Sequence, residues 1–396
     1  MNREARLKQA QEILRRQKLD GWLIFDFHCS NDLAHQFLGS SKGALTTRRF
    51  FYWIPAEGTP VRILHQIEPL SLQGWPGEIK TYLSWQSLHE VLASVLKGKK
   101  KIAMEFSPKC AIPYVSKVDG GTLDLVRSFG VEVVSSGDFL PYFTAVMDEE
   151  QIKTHVEAGE FLDQLVKKTW EWIAKNLKEE KKITEHDVVQ KLLQEIDENG
   201  YVTEEIPIVG VNANSGDPHY LPTPDGSLEV RKGNFVLIDV WCKKNNERSI
   251  FADITRVGFA GPHPSEKQKK VFQIVRDAQK AAIDLIRERY AQKKPVAGWE
   301  ADEACREVIR KAGYDKYFTH RTGHSIEEHL HGSGAHLDNL EMHDVRHLLP
   351  GTCFSVEPGI YLPDEFGIRL ESDVLIDHQG KVHVTGGEQD EITCFL

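Results

Sequence analysis

Short apolar runs alternate with an amphipathic stretch in the first third of the chain. The apolar runs have strand length and polar boundaries, and they are GWLIFDF (21–27), RRFFYWIP (48–55), VRILH (61–65), KIAMEF (101–106) and VEVV (131–134). Residues 84–98 have helical spacing, and so does the N-terminal segment that carries Leu7, Ile13 and Leu14. Strands that alternate with helices predict an α/β domain of about 140 residues.

A different pattern follows. Helices are predicted at about 149–177, 184–198, 265–292 and 300–311. The apolar strand candidates are NFVLIDVWC (234–242), SIFADITRVGF (249–259), TCFSVEPGIYL (352–362), GIRLESDVLI (367–376) and KVHVTG (381–386). Helices grouped around hairpin-connected strands predict an α+β domain. We therefore place the domain boundary between residues 146 and 147, which gives domains 1–146 and 147–396.

Composition and charge narrow the class of protein. The chain has 396 residues, 40% of them hydrophobic, with six scattered cysteines and a formal net charge of −10. Apolar runs stay well below the roughly 18 residues that a membrane span needs, and the basic N-terminal segment has no apolar signal core. Residues 1–146 carry a net charge of +4 and the remainder −14, which disfavours nucleic acid as a partner. These features predict a cytoplasmic protein with reduced thiols and no membrane partner.

Two strand pairs each carry two carboxylates. Asp239 and Asp253 are 14 residues apart across the polar loop KKNNER, and a turn centred on Asn246 would place them directly opposite each other. Glu357 and Glu371 have the same spacing across PDEFG, and a turn centred on Asp364 would oppose them as well. Unpaired charges among apolar strand residues are costly, so a compensating cation is expected.

Two sources of compensation are open at this point. Arg256 and Arg369 are close in sequence and would form ion pairs, but four carboxylates exceed two arginines. A pair of divalent metal ions would balance the charge, and the stretch HRTGHSIEEHLHG (320–332) supplies imidazole ligands. A mixed carboxylate and imidazole set suits manganese, cobalt, iron or zinc. The alternative for the histidines is a solvated loop.

The order IDVW, ADITR, HRTGHS, VEPGIY and GIRLESD strongly resembles the creatinase, aminopeptidase P and prolidase group of metallopeptidases. The resemblance implies an α+β pita-bread catalytic domain after a smaller creatinase-type α/β domain. It also implies a set of five metal ligands that bind two divalent ions: Asp239, Asp253, His324, Glu357 and Glu371. Asp239 would bind one metal, His324 and Glu357 the other, and Asp253 and Glu371 would bridge them.

The resemblance assigns roles to further residues. Glu357 would also act as the general base. His219 matches the histidine that contacts substrate, and His331 the one that assists the peptide bond and the tetrahedral intermediate. His320 and Arg369 match supporting positions near the metals.

One segment departs from the family pattern. Glu327 and Glu328 stand where small and apolar residues are usual, and Gly332 stands where an acidic residue usually follows the second histidine. This departure leaves the predicted ligands intact and puts the shape of the substrate pocket in question.

The leading hypothesis is a cytoplasmic, homodimeric, dinuclear metallopeptidase that cleaves after an N-terminal residue preceding proline. The expected metal is manganese, with cobalt, zinc or iron as alternatives, and the expected partner is a small peptide with proline in second position. The first alternative is a C–N hydrolase of the ectoine hydrolase or creatinase kind on the same fold. The second is a non-catalytic peptide-binding module, against which the five retained ligand types count.

Overall fold

The computed structural model describes residues 2–39 and 46–396. The chain divides into two compact units, Met1–Thr144 and Ala145–Leu396. This division falls two residues before the boundary expected from the sequence. The amide of Met147 donates to the carbonyl of Gly351 at 2.8 Å, so the connecting residues already pair with the second unit.

The first unit is built on a mixed six-stranded sheet. Its strands are β1 (Gly21–Asp26), β2 (Phe50–Pro55), β3 (Val61–His65), β4 (Glu78–Tyr82), β5 (Lys101–Met104) and β6 (Glu132–Ser135). Its helices are α1 (Arg3–Arg16), α2 (Asp32–Leu38), α3 (Trp85–Leu96), α4 (Gly120–Ser128) and α5 (Pro141–Thr144). The strand order is β4-β3-β2-β1-β5-β6, with β1–β2 and β2–β3 antiparallel and the other pairs parallel. The sequence expectation of an α/β unit is confirmed.

The second unit contains four helices and eleven strands among its described residues. The helices are α6 (Glu149–Lys178), α7 (Glu185–Glu198), α8 (Glu266–Ala291) and α9 (Gly298–Lys311). The strands are β7 (Tyr201–Val202), β8 (Ile208–Val211), β9 (Phe235–Lys244), β10 (Ala252–Phe259), β11 (Ser325–Ile326), β12 (Thr352–Val356), β13 (Gly359–Leu362), β14 (Phe366–Arg369), β15 (Ser372–Ile376), β16 (Val382–Thr385) and β17 (Thr393–Cys394). One sheet has the order β17-β10-β9-β7 with β8 also paired to β9, a second has β11-β12-β15-β16, and β13 pairs with β14.

The alternation of side chains along β9 assigns its two faces to different cores. Val236, Ile238 and Val240 pack with apolar residues of α6 and α7. Phe235 and Leu237 point to the other face and pack with residues of α8, β12 and β14. Because side chains alternate along a strand, Asp239 lies on this second face, between the β9–β10 ribbon and the β12–β15 region.

The helices begin where side-chain caps satisfy their first amides. Asp148 caps α6 and Ser265 caps α8, each by accepting a hydrogen bond from the amide three residues later. Among the described residues, no helix is both long enough and apolar enough to cross a membrane.

Candidate metal centre

The β9–β10 ribbon brings Asp239 and Asp253 to one face but not directly opposite each other. Asp239 pairs with Thr255, and Asp253 pairs with Trp241. The expected turn centre at Asn246 is therefore wrong by one residue, because this register centres on Glu247. The loop of residues 245–251 is long and contains Arg248 in the left-handed region at φ 64°, so its polar sequence does not fix its centre. A shift of the centre by one residue moves the register by two and preserves the face.

The second ribbon has the predicted register. Val356 pairs with Ser372, and Gly359 pairs with Arg369, so both pairs centre on Asp364. Asp364 has φ 61°, a left-handed conformation that suits a turn. Each strand expected from the sequence is nevertheless interrupted, at residues 357–358 and 370–371, since Pro358 has no amide proton to donate. Glu357 and Glu371 lie opposite each other in this interruption.

The five side chains predicted as ligands converge. His324 Nε2 lies 3.7 Å from Asp253 Oδ2 and 3.6 Å from Glu357 Oε1. Ligand atoms of Asp253, His324 and Glu371 all lie within 4.8 Å of one another. Asp239 joins Glu371 through the Thr255 hydroxyl, whose Oγ1 is 2.7 Å from Asp239 Oδ1 and 2.7 Å from Glu371 Oε2.

His324 presents a neutral imidazole to the carboxylates. Burial, with His331 and Arg321 adding to it, holds the pKa of His324 well below its ordinary value. Its Nδ1 lies 3.2 Å from the carbonyl of Ser325, which can only accept, so Nδ1 carries the proton. The Nε2 lone pair is thereby directed at Asp253 and Glu357, as a metal ligand requires.

The carboxylates in this cluster fit a cation. Burial raises the pKa of Asp253 and of Glu371 well above ordinary values, and repulsion from neighbouring carboxylates adds to both shifts. Burial also raises the pKa of Glu357 to about 7, although Arg369 and Arg321 lower it. Asp253 Oδ1 is buried without a hydrogen-bond partner. A buried acceptor with no donor, among acids that resist ionisation, is the environment that a divalent cation would stabilise.

Of the two arginines considered from the sequence, only Arg369 pairs with a carboxylate of the cluster. It forms a buried ion pair with Asp239 and donates from Nε to Thr255 Oγ1 at 3.0 Å. Burial by itself would lower the pKa of Arg369, but Asp239 raises it well above its ordinary value. Arg256 instead donates to backbone carbonyls, including that of Glu371 at 2.5 Å. The arginines therefore do not balance the four acids.

A directed chain of hydrogen bonds leads from Arg369 to His320. Arg369 Nη1 donates to Tyr361 Oη at 3.0 Å, and Tyr361 lies 2.7 Å from His320 Nε2. His320 Nδ1 lies 2.7 Å from the carbonyl of Arg321 and so carries the proton. Burial, and then the charge of Arg369, lower the pKa of His320 to about 3. His320 is thus neutral, and Tyr361 donates to its Nε2.

His331, expected to assist the peptide bond, and His219, expected to contact substrate, lie at the rim of the cluster. His331 is exposed, and its ring centroid is 4.3 Å from that of His324. Burial, with Arg321, lowers the pKa of His331. His219 is also exposed, and it follows Pro218, whose carbonyl accepts from Arg369 at 3.4 Å.

Sequence reasoning missed Thr255 and Tyr361, which connect the cluster. A signal for Thr255 was present, because it lies two residues after Asp253 and therefore shares its face of β10. Tyr361 had no comparable signal, since its partners Arg369 and His320 come from a separate strand and a separate loop.

The buried cluster combines four acids on two β-ribbons with one imidazole from the segment before β11, which is a donor set that suits a divalent metal ion. The sequence profile of metallopeptidase family M24 matches residues 153–378. The chain therefore belongs to metallopeptidase family M24 and is a peptidase with the pita-bread fold.

Named relatives agree with this class. The chain is 28% identical over 299 residues to the Xaa-Pro dipeptidase of Pyrococcus horikoshii, covering 75% of this chain and 76% of that protein. It is 33% identical over 183 residues to the Xaa-Pro dipeptidase of Lactobacillus helveticus, covering 46% and 45%. The crystal structure of dipeptidase PepE from Mycobacterium ulcerans superposes with a TM-score of 0.69 at 22% identity, covering 99% of this chain and 97% of that one. At 22% identity, the similarity to PepE shows the fold alone.

Proposed function

We propose that this protein hydrolyses the bond between an N-terminal residue and proline, with a pair of divalent metal ions held by the second unit. The observation that carries the proposal is the convergence of Asp253, His324 and Glu371, with an unpartnered carboxylate oxygen on Asp253. The names of the Xaa-Pro dipeptidase relatives support the choice of substrate.

The residues that would hold the metal ions are Asp239, Asp253, His324, Glu357 and Glu371. When bound, such a pair supplies an activated water near neutral pH and polarises the scissile carbonyl. Other side chains of the protein would have to bind the first side chain and the proline ring of the substrate.

The other residues of the cluster would orient the ligands and the substrate. Arg369 and Thr255 hold Asp239, and Tyr361 holds Arg369. Glu357 would accept the proton of the attacking water and pass it to the leaving proline nitrogen. His219, exposed beside the cluster, would contact the peptide, and His331 would assist the scissile peptide bond and the tetrahedral intermediate. A proline amide has no N–H and a fixed φ, so its recognition depends on such shaped contacts.

The decisive experiment replaces Asp253 and Glu371 singly with Ala and assays Xaa-Pro dipeptides in the presence of added metal. Each variant is expected to lose metal-dependent turnover and to bind less metal. Glu365→Ala is the matched control, because Glu365 is an exposed carboxylate on the same ribbon that pairs with Lys267. Full turnover in both Asp253→Ala and Glu371→Ala would reject the assignment.

A substrate panel separates the proposal from its alternative. Xaa-Pro dipeptides, Xaa-Pro tripeptides, longer peptides and a cyclic amidine are compared under the same metal supplementation. Cleavage of the proline peptides supports the proposal, and their relative rates decide between dipeptidase and aminopeptidase action. Turnover of the cyclic amidine without proline-peptide cleavage would favour the ectoine hydrolase-like alternative.

Three finer proposals concern metal identity, assembly and compartment. The native metal is proposed to be manganese, the assembly a homodimer and the compartment the cytoplasm. None of the six cysteines forms a disulfide bond, which supports the last of these. Elemental analysis of protein purified without added metal tests the first, and light scattering of the purified chain tests the second.

A further inference from the structure

The loop between His324 and His331 is closed on itself. His324 is followed by Ser325, whose carbonyl accepts from the amide of Gly332 at 2.8 Å. The loop therefore returns to its starting point directly after His331. Within the loop, the amide of Glu327 also donates to the carbonyl of His329 at 3.1 Å.

The side chain of Glu327 is buried where this loop closes. It is only 6% exposed, although its position in the sequence suggests a polar loop. Its Oε1 accepts from the Ser325 hydroxyl at 2.9 Å and from the amide of Gly334 at 2.7 Å. Its Oε2 lies 3.3 Å from the Ser333 hydroxyl. One carboxylate thus joins the residue after His324 to residues two and three positions after His331.

The same carboxylate lies against Gly332 and leaves little room for a side chain there. A Cβ atom at Gly332 would lie 2.4 Å from Cδ and 2.4 Å from Oε1 of Glu327. The φ angle of Gly332 is not positive, so its backbone conformation does not itself favour glycine. A side chain at residue 332 would therefore force the end of the Glu327 side chain out of its hydrogen bonds with Ser325 and Gly334.

We propose that Glu327 is a positioning residue that holds His331 beside His324, and that Glu327 and Gly332 form one coupled feature. The departures at these two positions would then be a single change in which the carboxylate comes from residue 327 rather than from residue 332. The inference deepens the proposed function, on which the role of His331 rests.

The geometry explains how one position could replace the other. In an aspartate, a carboxylate oxygen lies two bonds from Cβ. The Oε1 atom of Glu327 lies 2.4 Å from the Cβ position of residue 332, so an aspartate there could place an oxygen where Oε1 now accepts. It could do so only if the side chain of Glu327 were removed, since the two carboxylates would otherwise overlap.

The first test separates positioning from folding. Glu327→Ala is expected to lower kcat on an Xaa-Pro dipeptide by about tenfold to a hundredfold. KM and bound metal per chain should change little, because His331 acts in the transition state and is not a proposed ligand. Glu327→Gln keeps an acceptor of the same shape and should recover most of the lost kcat. Glu328→Ala is the matched control, since Glu328 is the exposed neighbouring acid.

The second test asks whether the effect of Gly332→Asp on stability changes sign when the Glu327 side chain is removed. Gly332→Asp should lower the melting temperature of the otherwise unchanged protein, because it collides with Glu327. In the Glu327→Ala background the same substitution should raise both the melting temperature and kcat. A change of sign is expected only if the two side chains compete for one space.

The outcomes distinguish this inference from the proposed function. Equal destabilisation by Gly332→Asp in both backgrounds would overturn the coupling, and an unchanged kcat in Glu327→Ala would overturn the positioning role. If the unchanged protein does not cleave Xaa-Pro peptides, the proposed function and the positioning role both fail. The melting temperatures would still decide the coupling.

Discussion

One hydroxyl group at the centre of the cluster faces more acceptors than it can serve. Thr255 Oγ1 is 2.7 Å from both Asp239 Oδ1 and Glu371 Oε2 and accepts from Arg369 Nε. A hydroxyl has one proton, so only one of the two carboxylates can receive it at a time. Asp239 also pairs with Arg369. When the Thr255 proton goes to Asp239, Glu371 needs a proton of its own or a cation, which agrees with the proposed metal site.

We expect Thr255→Val to impair the site without unfolding the protein. The change keeps the shape of the side chain and removes the hydroxyl that orients Asp239, Glu371 and Arg369. Loss of such an orienting group typically lowers metal affinity or activity by about tenfold to a hundredfold. Metal titration followed by activity at saturating metal measures both quantities.

Thr169→Val is the matched control for this substitution. Thr169 is equally buried, and its hydroxyl donates to the carbonyl of Leu165 within its own helix. Similar metal affinity in Thr255→Val and Thr169→Val would contradict the orienting role of Thr255.

Some site residues could be predicted from the sequence, and others depend on contacts that form only in the folded protein. The four acids and the imidazole-bearing motif could be predicted from spacing and resemblance, because the 14-residue spacing of the acids occurs in both ribbons. The register of the first ribbon could not, since it depends on the loop at residues 245–251, and a two-residue slip still left Asp239 and Asp253 on one face. The sequence showed Glu327 and Gly332 only as two departures from the family pattern. The proposed coupling between them rests on a contact within a folded loop, which the sequence does not reveal.

At the scale of elements, close backbone approach sets the position of the histidine. A Cβ atom at Gly323 would lie 1.9 Å from the carbonyl oxygen of Ser355, in β12. His324 and Ser355 are also joined by backbone and side-chain hydrogen bonds, at 2.9 and 3.0 Å. The segment before His324 must therefore lie directly against β12 for the imidazole to reach Asp253.

We expect Gly323→Ala to displace His324 and to destabilise the second unit. The added methyl group collides with backbone, which cannot move like a flexible side chain, and overpacking of this kind costs about 1–3 kcal/mol. Urea denaturation measures the loss of stability, and metal titration measures the loss of affinity. The control is Gly120→Ala, in α4, where a Cβ atom meets nothing within 4 Å; an equal effect of both changes would contradict this explanation.

The elements themselves were predictable where local signals were strong. Helices α6, α7 and α8 begin and end within a residue or two of their expected limits, because apolar periodicity and side-chain caps agree there. Strand β4 was missed because most of its residues are exposed or only partly buried, so it lacks an apolar pattern. The strands around Glu357 and Glu371 were expected to be continuous, and Pro358 interrupts the ladder between them.

A buried acid joins several elements of the first unit. Glu105, directly after β5, accepts from Trp22 Nε1 in β1 at 2.5 Å and from Asn31 Nδ2 at 2.9 Å. Asn31 also caps α2 by accepting from the amide of Ala34. Burial raises the pKa of Glu105 from 4.5 to about 7, although the bonds from Trp22 and Asn31 lower it.

We expect this acid to make the protein less stable as pH rises. The folded chain binds the proton more tightly than the unfolded chain, so the stabilisation is complete below pH 4.5 and is lost as pH rises through about 7. The loss amounts to roughly 3 kcal/mol. Urea denaturation of wild type and Glu105→Gln between pH 5 and 8 isolates this contribution, because Gln cannot ionise. A pH slope that Glu105→Gln leaves unchanged would assign the dependence to other groups.

At the scale of the whole molecule, metal binding and stability should be linked. The second unit collects buried acids whose pKa values are raised in the absence of a cation, as for Asp253 and Glu371. A metal that binds the folded chain and not the unfolded chain stabilises it by about 2.7 kcal/mol at a free concentration 100 times Kd. For a unit of this size, that corresponds to a rise in melting temperature of about 5–10 °C.

We therefore expect chelation to lower the melting temperature and to abolish turnover. Added manganese, cobalt or zinc should restore stability in proportion to the logarithm of the metal concentration. Calorimetry of chelated protein at increasing metal concentration measures this slope. The double variant Asp253→Asn, Glu371→Gln keeps the shape of the two side chains and removes their charges, so its melting temperature should not respond to metal. An equal slope in the variant would mean that the metal stabilises the chain at some other site, and the convergence of these five side chains would then have a purely structural explanation.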